Sequence, residues 1–183
     1  METVFFGVQV AVFAPPGDPL RKQLANVVRT TGGDQSLSDK RAFHTRIAHV
    51  LESAVARWRF GTWDYVPGAA AETTFDEWVS GLEASVAENP GDVYDDEHIV
   101  VTFVYLLAAG SEAETIAGAR CDIHESCFHT RETYARLVET VRLLPYASVR
   151  ADGVYLVPGE GGPGLSAEEL TGEGWDYLQV ITD

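Results

Sequence analysis

Apolar residues along the chain follow two periods, and a period of two comes first. Residues 4–13 form an apolar run whose side chains alternate between two sides, as in a β-strand, and turn residues at 15–17 close it. Residues 99–107 are rich in β-branched and aromatic types, which favours a buried strand, and a shorter run of this kind ends at residue 157. The pattern predicts a small sheet of about three main strands.

Helical periodicity, in which apolar residues recur every three or four positions, fills most of the remaining chain. The spacing of Ser36 and Asp39 matches a capping box, in which each side chain pairs with a free backbone N–H of the other residue. The same spacing recurs at Ser166 and Glu169 and predicts a short final helix. The longer predicted helices cover residues 20–28, 36–58, 73–89 and 134–144.

These elements predict a single α+β domain over residues 1–183, with the order β-α-α-α-β-α-β-α. The small sheet packs with about four to five helices. A chain of 183 residues, of which 45% are apolar, is long enough to bury a core without help from disulfides.

An aromatic segment separates the second and third predicted helices, and we interpret residues 59–71 as a loop. Tryptophan and tyrosine next to arginine are residue types that carry interface hot spots, so this segment is the predicted surface for a protein partner. The alternative is that the same rings pack inward and cover the core. The candidate partner-binding residues are Trp58, Phe60, Trp63 and Tyr65.

Charge narrows the classes of partner. The chain has 28 acidic and 13 basic residues and a formal charge of −15, so binding to nucleic acid or to an anionic membrane surface is not expected. The charge serves solubility or forms a face for a basic partner, and the sequence leaves both open. We find neither a targeting segment nor an apolar stretch of the ~18 residues that a membrane helix needs. A soluble cytoplasmic protein with reduced cysteines is expected.

Both cysteines and two histidines lie within residues 121–129, and they are the ligand types that tetrahedral zinc prefers. Structural zinc sites normally join two ligand pairs on separate elements, whereas here one loop would wrap the ion. A disulfide between the cysteines is one alternative, and a helix start capped by Thr130 without any metal is another. The candidate metal ligands are Cys121, His124, Cys127 and His129.

The sequence contains no nucleophile elbow and no phosphate-binding loop, so we predict no catalytic residues. The glycines at 159–164 have the wrong spacing for phosphate binding, and the acidic residues 92–97 lack the glycine of a calcium-binding loop. For His44 and His49 we expect exposed or capping roles. For His98, which follows acidic residues, we expect surface pairing and a raised pKa.

Several segments resemble the domain-of-unknown-function 1517 family, an uncharacterised cyanobacterial and plastid-type domain. They are VQVAVFAPPGDPLRKQL, HIVVTFVYLLAAG, TYARLVETVRLLPY and VYLVPGEGGPGLSAEELTGEGWDYL, with the closest matches at residues 100–102 and 165–170. Plastid members are membrane-associated proteins linked to photosynthetic acclimation. The resemblance implies a binding or regulatory, adaptor-like domain and supplies no catalytic residues. The alternative function is a metal-binding protein, structural or hydrolytic, that uses the cysteine and histidine cluster.

Overall fold

The computed structural model describes residues 2–30, 36–88, 97–158 and 164–183. The segment between the first two predicted helices, the acidic residues 92–97 and the glycines at 159–164 lie largely outside these residues. The strands among them are β1 (Thr3–Phe13), β2 (Trp58–Pro67), β3 (His98–Ala108), β4 (Val149–Val157) and β5 (Gln179–Val180). The α-helices are α1 (Pro19–Arg29), α2 (Leu37–Glu52), α3 (Ala71–Glu88), α4 (Glu112–Cys121) and α5 (Arg131–Leu143).

Strand β1 lies at the centre of one antiparallel sheet whose strand order is β4-β3-β1-β2-β5. It pairs with β3 from end to end, with Thr3 opposite Ala108 and Phe13 opposite His98. The α+β class agrees with the prediction. The prediction of about three main strands is wrong, because the sheet has five.

The residues interpreted as an aromatic loop form strand β2. This strand runs antiparallel to β1, with Asp64 opposite Gly7. Its glycine, its charged residues and its terminal proline are typical of loops, and they hid the alternation of a strand with one partly polar face. The two residues of β5, which were also not predicted, pair with Phe60 and Gly61 at the edge of the sheet.

Capping side chains begin two helices where the sequence predicts them. The Ser36 hydroxyl accepts from the Asp39 backbone N–H, and the Asp39 carboxylate accepts from the Ser36 backbone N–H, so the predicted capping box of α2 is confirmed. Thr130 caps α5 by accepting from the backbone N–H of Thr133. Both caps satisfy donors that have no partner inside the helix.

Other helical predictions differ from the structure. Helix α2 ends at Glu52, before a 3₁₀ turn that leads into β2. Helix α4 was not predicted because its buried residues are Ala113 and Ala117, whose small side chains give a weak apolar period. The predicted final helix is a 3₁₀ turn of 3 residues, although Ser166 and Glu169 do form the predicted capping hydrogen bonds.

The sheet is the middle of three layers, because both faces of β1 are covered. Even-numbered side chains of β1, such as Phe6 and Val10, point to the first face, where α1, α2, α4 and α5 complete the main core. Helix α3 and residues 164–178 cover the second face. Within the described part of the chain, no helix combines the length and apolar character needed to cross a bilayer.

The second face carries two separate apolar clusters. One packs α3 against the sheet around Phe5 and Val104, and the other packs residues 164–178 around Ala11 and Val100. The positions of the sheet between them are polar. We call them the polar row, and they are three residues aligned in register on β3, β1 and β2: Thr102, Gln9 and Thr62.

Candidate functional site

Gln9 is the centre of the polar row, and only 1% of its surface is exposed. Its Nε2 donates a 2.8 Å hydrogen bond to Thr102 Oγ1, but its Oε1 has no hydrogen-bond partner among the described residues. An unpaired buried acceptor costs about 1–3 kcal/mol, and most buried polar atoms in folded proteins are paired. Gln9 therefore keeps one buried acceptor in the middle of the sheet that no described residue satisfies.

The Trp78 indole lies on the sheet beside the polar row, because Gly7 leaves room for it. A Cβ built on Gly7 would lie 3.1 Å from Trp78 Cζ3. Trp78 Nε1 donates a 3.3 Å hydrogen bond to Asp64 Oδ2 on β2, and the Phe5 ring packs against the indole with ring centroids 5.3 Å apart. These contacts fix the ring between α3 and the sheet.

A cleft of about 290 Å³ lies over the polar row, between α3 and the C-terminal segment. This volume is close to the lower end of the range for small-ligand sites, about 300–1,000 Å³. The buried Gln9 belongs to its floor, and exposed residues form its rim. The residues that line it are Gln9, Thr62, Asp64, Glu77, Trp78, Gly81, Leu82 and Tyr177.

The cleft is acidic. Asp64 and Glu77 line it, and no lysine, arginine or histidine does so in the part of the chain that the structure describes. Asp64 is exposed at the rim, yet the protein atoms around its carboxyl raise the pKa, and the hydrogen bond from Trp78 acts in the opposite direction. Burial also raises the pKa of the Tyr177 phenol, whereas a hydrogen bond with the Gln9 side chain lowers it. The described lining thus offers acceptors and negative charge without a compensating cation.

The lining of the cleft suits recognition. It combines a buried acceptor at the floor, carboxylates at the rim, and aromatic rings from α3 and from the C-terminal segment. Serine, cysteine and histidine are absent from its described lining, and its titratable groups are Asp64, Glu77 and Tyr177.

The predicted metal ligands are neighbours in the chain, but the structure does not assemble them around one ion. Cys121 ends α4, where burial raises the pKa of its thiol to about 12, while Cys127 is exposed, and both cysteines are free. Ring nitrogens of His124 and His129 contact hydroxyl oxygens at 2.8 and 3.4 Å. Among the described residues, no group of three or more His, Cys, Asp or Glu side chains is placed to hold a metal. Zinc binding by these residues stays a prediction.

The aromatic residues predicted to bind a partner are packed into β2 and its neighbours. Trp58 is fully buried, and its Nε1 donates a 3.2 Å hydrogen bond to a backbone carbonyl of α2. Trp63 Nε1 donates a 3.0 Å hydrogen bond to the backbone carbonyl of Phe128. Phe60 and Tyr65 are half-buried against apolar clusters on opposite faces. A partner-binding role for these residues stays a prediction.

His44 forms a buried network on the first face, so the expectation of an exposed role was wrong. Its Nε2 lies 3.1 Å from Asp152 Oδ2, and its Nδ1 lies 2.5 Å from Tyr105 Oη. Lys40 Nζ lies 3.1 Å from the other carboxylate oxygen of Asp152. Burial raises the pKa of Asp152, but hydrogen bonds from His44 and Lys40 outweigh it and lower the pKa overall. Because Tyr105 is 0% exposed, this network holds α2 on the sheet and does not present a reactive group.

His98 also differs from its expectation, whereas His49 is exposed as expected. His98 is buried at the start of β3, and its Nδ1 lies 3.3 Å from the backbone carbonyl of Leu165. Burial lowers its pKa, so the expected upward shift is wrong. The rings of Phe13 and Phe60 pack against the imidazole, and an isolated β-bridge joins His98 to Leu165; none of these contacts is visible in the sequence.

Sequence reasoning missed the cleft, although one signal was present. Gln9 and Thr102 are polar residues in the middle of apolar runs, and such residues are unusual in a strand that is buried on both faces. Trp78 and Tyr177 gave no comparable signal. Their approach to the polar row depends on how α3 and the C-terminal segment cross the sheet.

Comparison with family models, with curated proteins and with solved structures finds no match to this chain. The family resemblance therefore stays a prediction, and the function is argued from the cleft.

Proposed function

We propose that this chain is a binding domain without catalytic activity, and that the cleft over the polar row takes a small polar ligand. The observation that carries the proposal is the unpaired Oε1 of Gln9, which is buried at the floor of the cleft. A ligand N–H or O–H that reaches this oxygen removes the free-energy cost of leaving it unpaired.

Fixed elements supply both the floor and one wall of the cleft, which supports the proposal. Gln9 belongs to the central strand, which is paired on both sides, and Trp78 is fixed by its contacts with Phe5 and Asp64. A site built on ordered elements loses little conformational entropy when its ligand binds.

The experiment uses the Trp78 indole N–H and the Gln9 side-chain amide as NMR probes of the cleft. The full chain is titrated with a fragment library of neutral, cationic and anionic compounds. We expect a subset of fragments to shift both signals. The proposal is overturned when no fragment shifts them at millimolar concentration.

A Gln9→Met, Thr102→Val double variant removes the polar pair at nearly constant volume. We expect it to stay folded and to bind the selected fragments about tenfold more weakly, since a lost hydrogen bond is worth about 1 kcal/mol or more. Gln23→Met is the matched control, because Gln23 is exposed on α1 in the opposite layer. Equal binding by the double variant and the control contradicts a site at the polar row.

The two sequence-based alternatives have separate tests. Near-stoichiometric zinc in tag-free protein, lost in a Cys121→Ser, Cys127→Ser variant, would establish the metal-binding function. Loss of partner binding in a Trp63→Ala, Tyr65→Ala variant that stays folded would establish the adaptor function. Neither outcome depends on the cleft.

A further inference from the structure

Resting on the proposed function, we infer that the ligand of the cleft is a small organic cation. It is a protonated amine whose N–H groups donate to Gln9 Oε1 at the floor and to the carboxylates at the rim.

Hydrogen-bonding capacity is the first argument. The unpaired atom at the floor is an acceptor, and the ionised Asp64 and Glu77 also only accept. Gln9 is opposite Thr62, so Asp64 is its diagonal neighbour across β1 and β2, at a typical separation of about 7–8 Å. One small ligand can therefore contact both side chains. An alkylammonium group has N–H donors and no acceptor, which matches this set.

Charge is the second argument. Besides Asp64 and Glu77, the exposed Asp176 lies close enough to Tyr177 to contribute to the raised pKa of that phenol. The whole chain has a formal charge of −15, so the field at the cleft attracts cations and repels anions. The protein atoms around the Asp64 carboxyl raise its pKa, and no cationic side chain of the described residues acts to lower it.

The aromatic lining is the third argument. Trp78 and Tyr177 bring two rings to the cleft from α3 and from the C-terminal segment. Aromatic faces attract ammonium groups within about 6 Å, and the methylene groups of an alkylamine pack on the same rings. A neutral polyol would gain less from these rings, and a carboxylate ligand would be repelled by the rim.

The experiment compares three probes with the same four-carbon chain: 1,4-diaminobutane, 1,4-butanediol and succinate. Each is titrated into the full chain at pH 7 while the Trp78 indole N–H is followed by NMR. We expect the diamine to bind at least about tenfold more tightly than the diol, because charge-assisted hydrogen bonds are about twice as strong as neutral ones. We expect no saturable shift with succinate.

Two variants in which a carboxylate becomes a carboxamide distinguish binding in the cleft from general electrostatic attraction of the diamine to an acidic protein. Asp64→Asn is expected to weaken diamine binding about tenfold, because it replaces a charged acceptor by a neutral one. Asp76→Asn is the matched control: Asp76 is exposed on α3, outside the lining of the cleft. Its effect is expected to stay within about twofold, because solvent and salt screen its charge.

The outcomes distinguish a failure of the inferred ligand class from a failure of the proposed binding site. Diol or succinate binding as tightly as the diamine overturns the cation inference and leaves the proposed function standing. The inference is also overturned if the two carboxamide variants lose the same amount of diamine affinity, or if none of the three probes shifts the Trp78 indole N–H signal. The mixed fragment library then decides independently whether the cleft binds a ligand of another class.

Discussion

At the scale of single residues, Gln9 occupies a position where a strand buried on both faces normally has an aliphatic side chain. Thr102 pairs with one end of its amide and nothing in the described chain pairs with the other. Replacement of a buried polar pair by apolar side chains of the same shape is often neutral or stabilising. The protein is therefore expected to be no more stable with the polar row than it would be with apolar side chains of the same shape there.

We expect Thr102→Val to lower the free energy of unfolding by about 1–3 kcal/mol, because it leaves the Gln9 Nε2 without its acceptor. The Gln9→Met, Thr102→Val double variant is expected to return to the wild-type value or to exceed it. Urea unfolding measures both. If the double variant is as unstable as the single one, the polar row stabilises the fold and is not a feature kept for a ligand.

The two cysteines are expected to react at very different rates. Cys127 is exposed, whereas burial raises the pKa of Cys121 to about 12, so that thiol has almost no thiolate at neutral pH. Labelling of the native protein with a disulfide reagent at pH 7.5 should modify about one thiol quickly, and the second much more slowly. Cys127→Ser should abolish the fast phase; a fast phase that survives would contradict the raised pKa of the Cys121 thiol.

At the scale of elements, the predictability of the fold depends on how much of each element is buried. Strands β1 and β3 are apolar over almost their whole length, so the sequence shows them plainly. Strand β2 carries Gly61 and Asp64, and α4 buries only alanines, so neither has a clear period. The same holds for the site: Gln9 is visible as a polar residue in an apolar run, but the elements that complete the cleft are brought there by the tertiary fold.

Gly61 shows why β2 needs a residue that sequence patterns assign to loops. A Cβ at this position would lie 2.6 Å from Tyr134 Cε1 and 2.9 Å from the backbone oxygen of Gln9. We expect Gly61→Ala to destabilise the protein by about 1–3 kcal/mol through overpacking, measured by chemical unfolding.

Gly81→Ala is the control for the Gly61 variant. It adds a Cβ on helix α3 at a position where no atom of the described residues lies within 4 Å. It should stabilise the helix by about 0.5–1 kcal/mol. Equal effects of the two substitutions would contradict the close contact between β2 and α5.

At the scale of the whole molecule, acid should weaken the fold through the network that joins α2 to the sheet. The pKa of Asp152 is lowered in the folded state, so its contribution is present above the unfolded pKa, about 4, and is lost as the pH falls through the folded value. Asp152→Asn should cost about 1–3 kcal/mol at pH 7 and should flatten the loss of stability between about pH 5 and 3.

Unfolding curves at several pH values, with Asp76→Asn as a surface control, measure this effect. The control should keep the wild-type pH dependence, because Asp76 is exposed on α3. If Asp152→Asn and the control show the same pH dependence of stability, the network does not contribute to the loss of stability in acid.

The two separate apolar clusters on the second face have a consequence for motion. Because α3 and residues 164–178 pack on different parts of the sheet, each can detach without the other, and their amide hydrogens should exchange independently in the free protein. A ligand held between Trp78 and Tyr177 would touch both segments at once. Binding should then slow exchange in both together, and the ligand would act as the link that turns two local opening events into one cooperative unit.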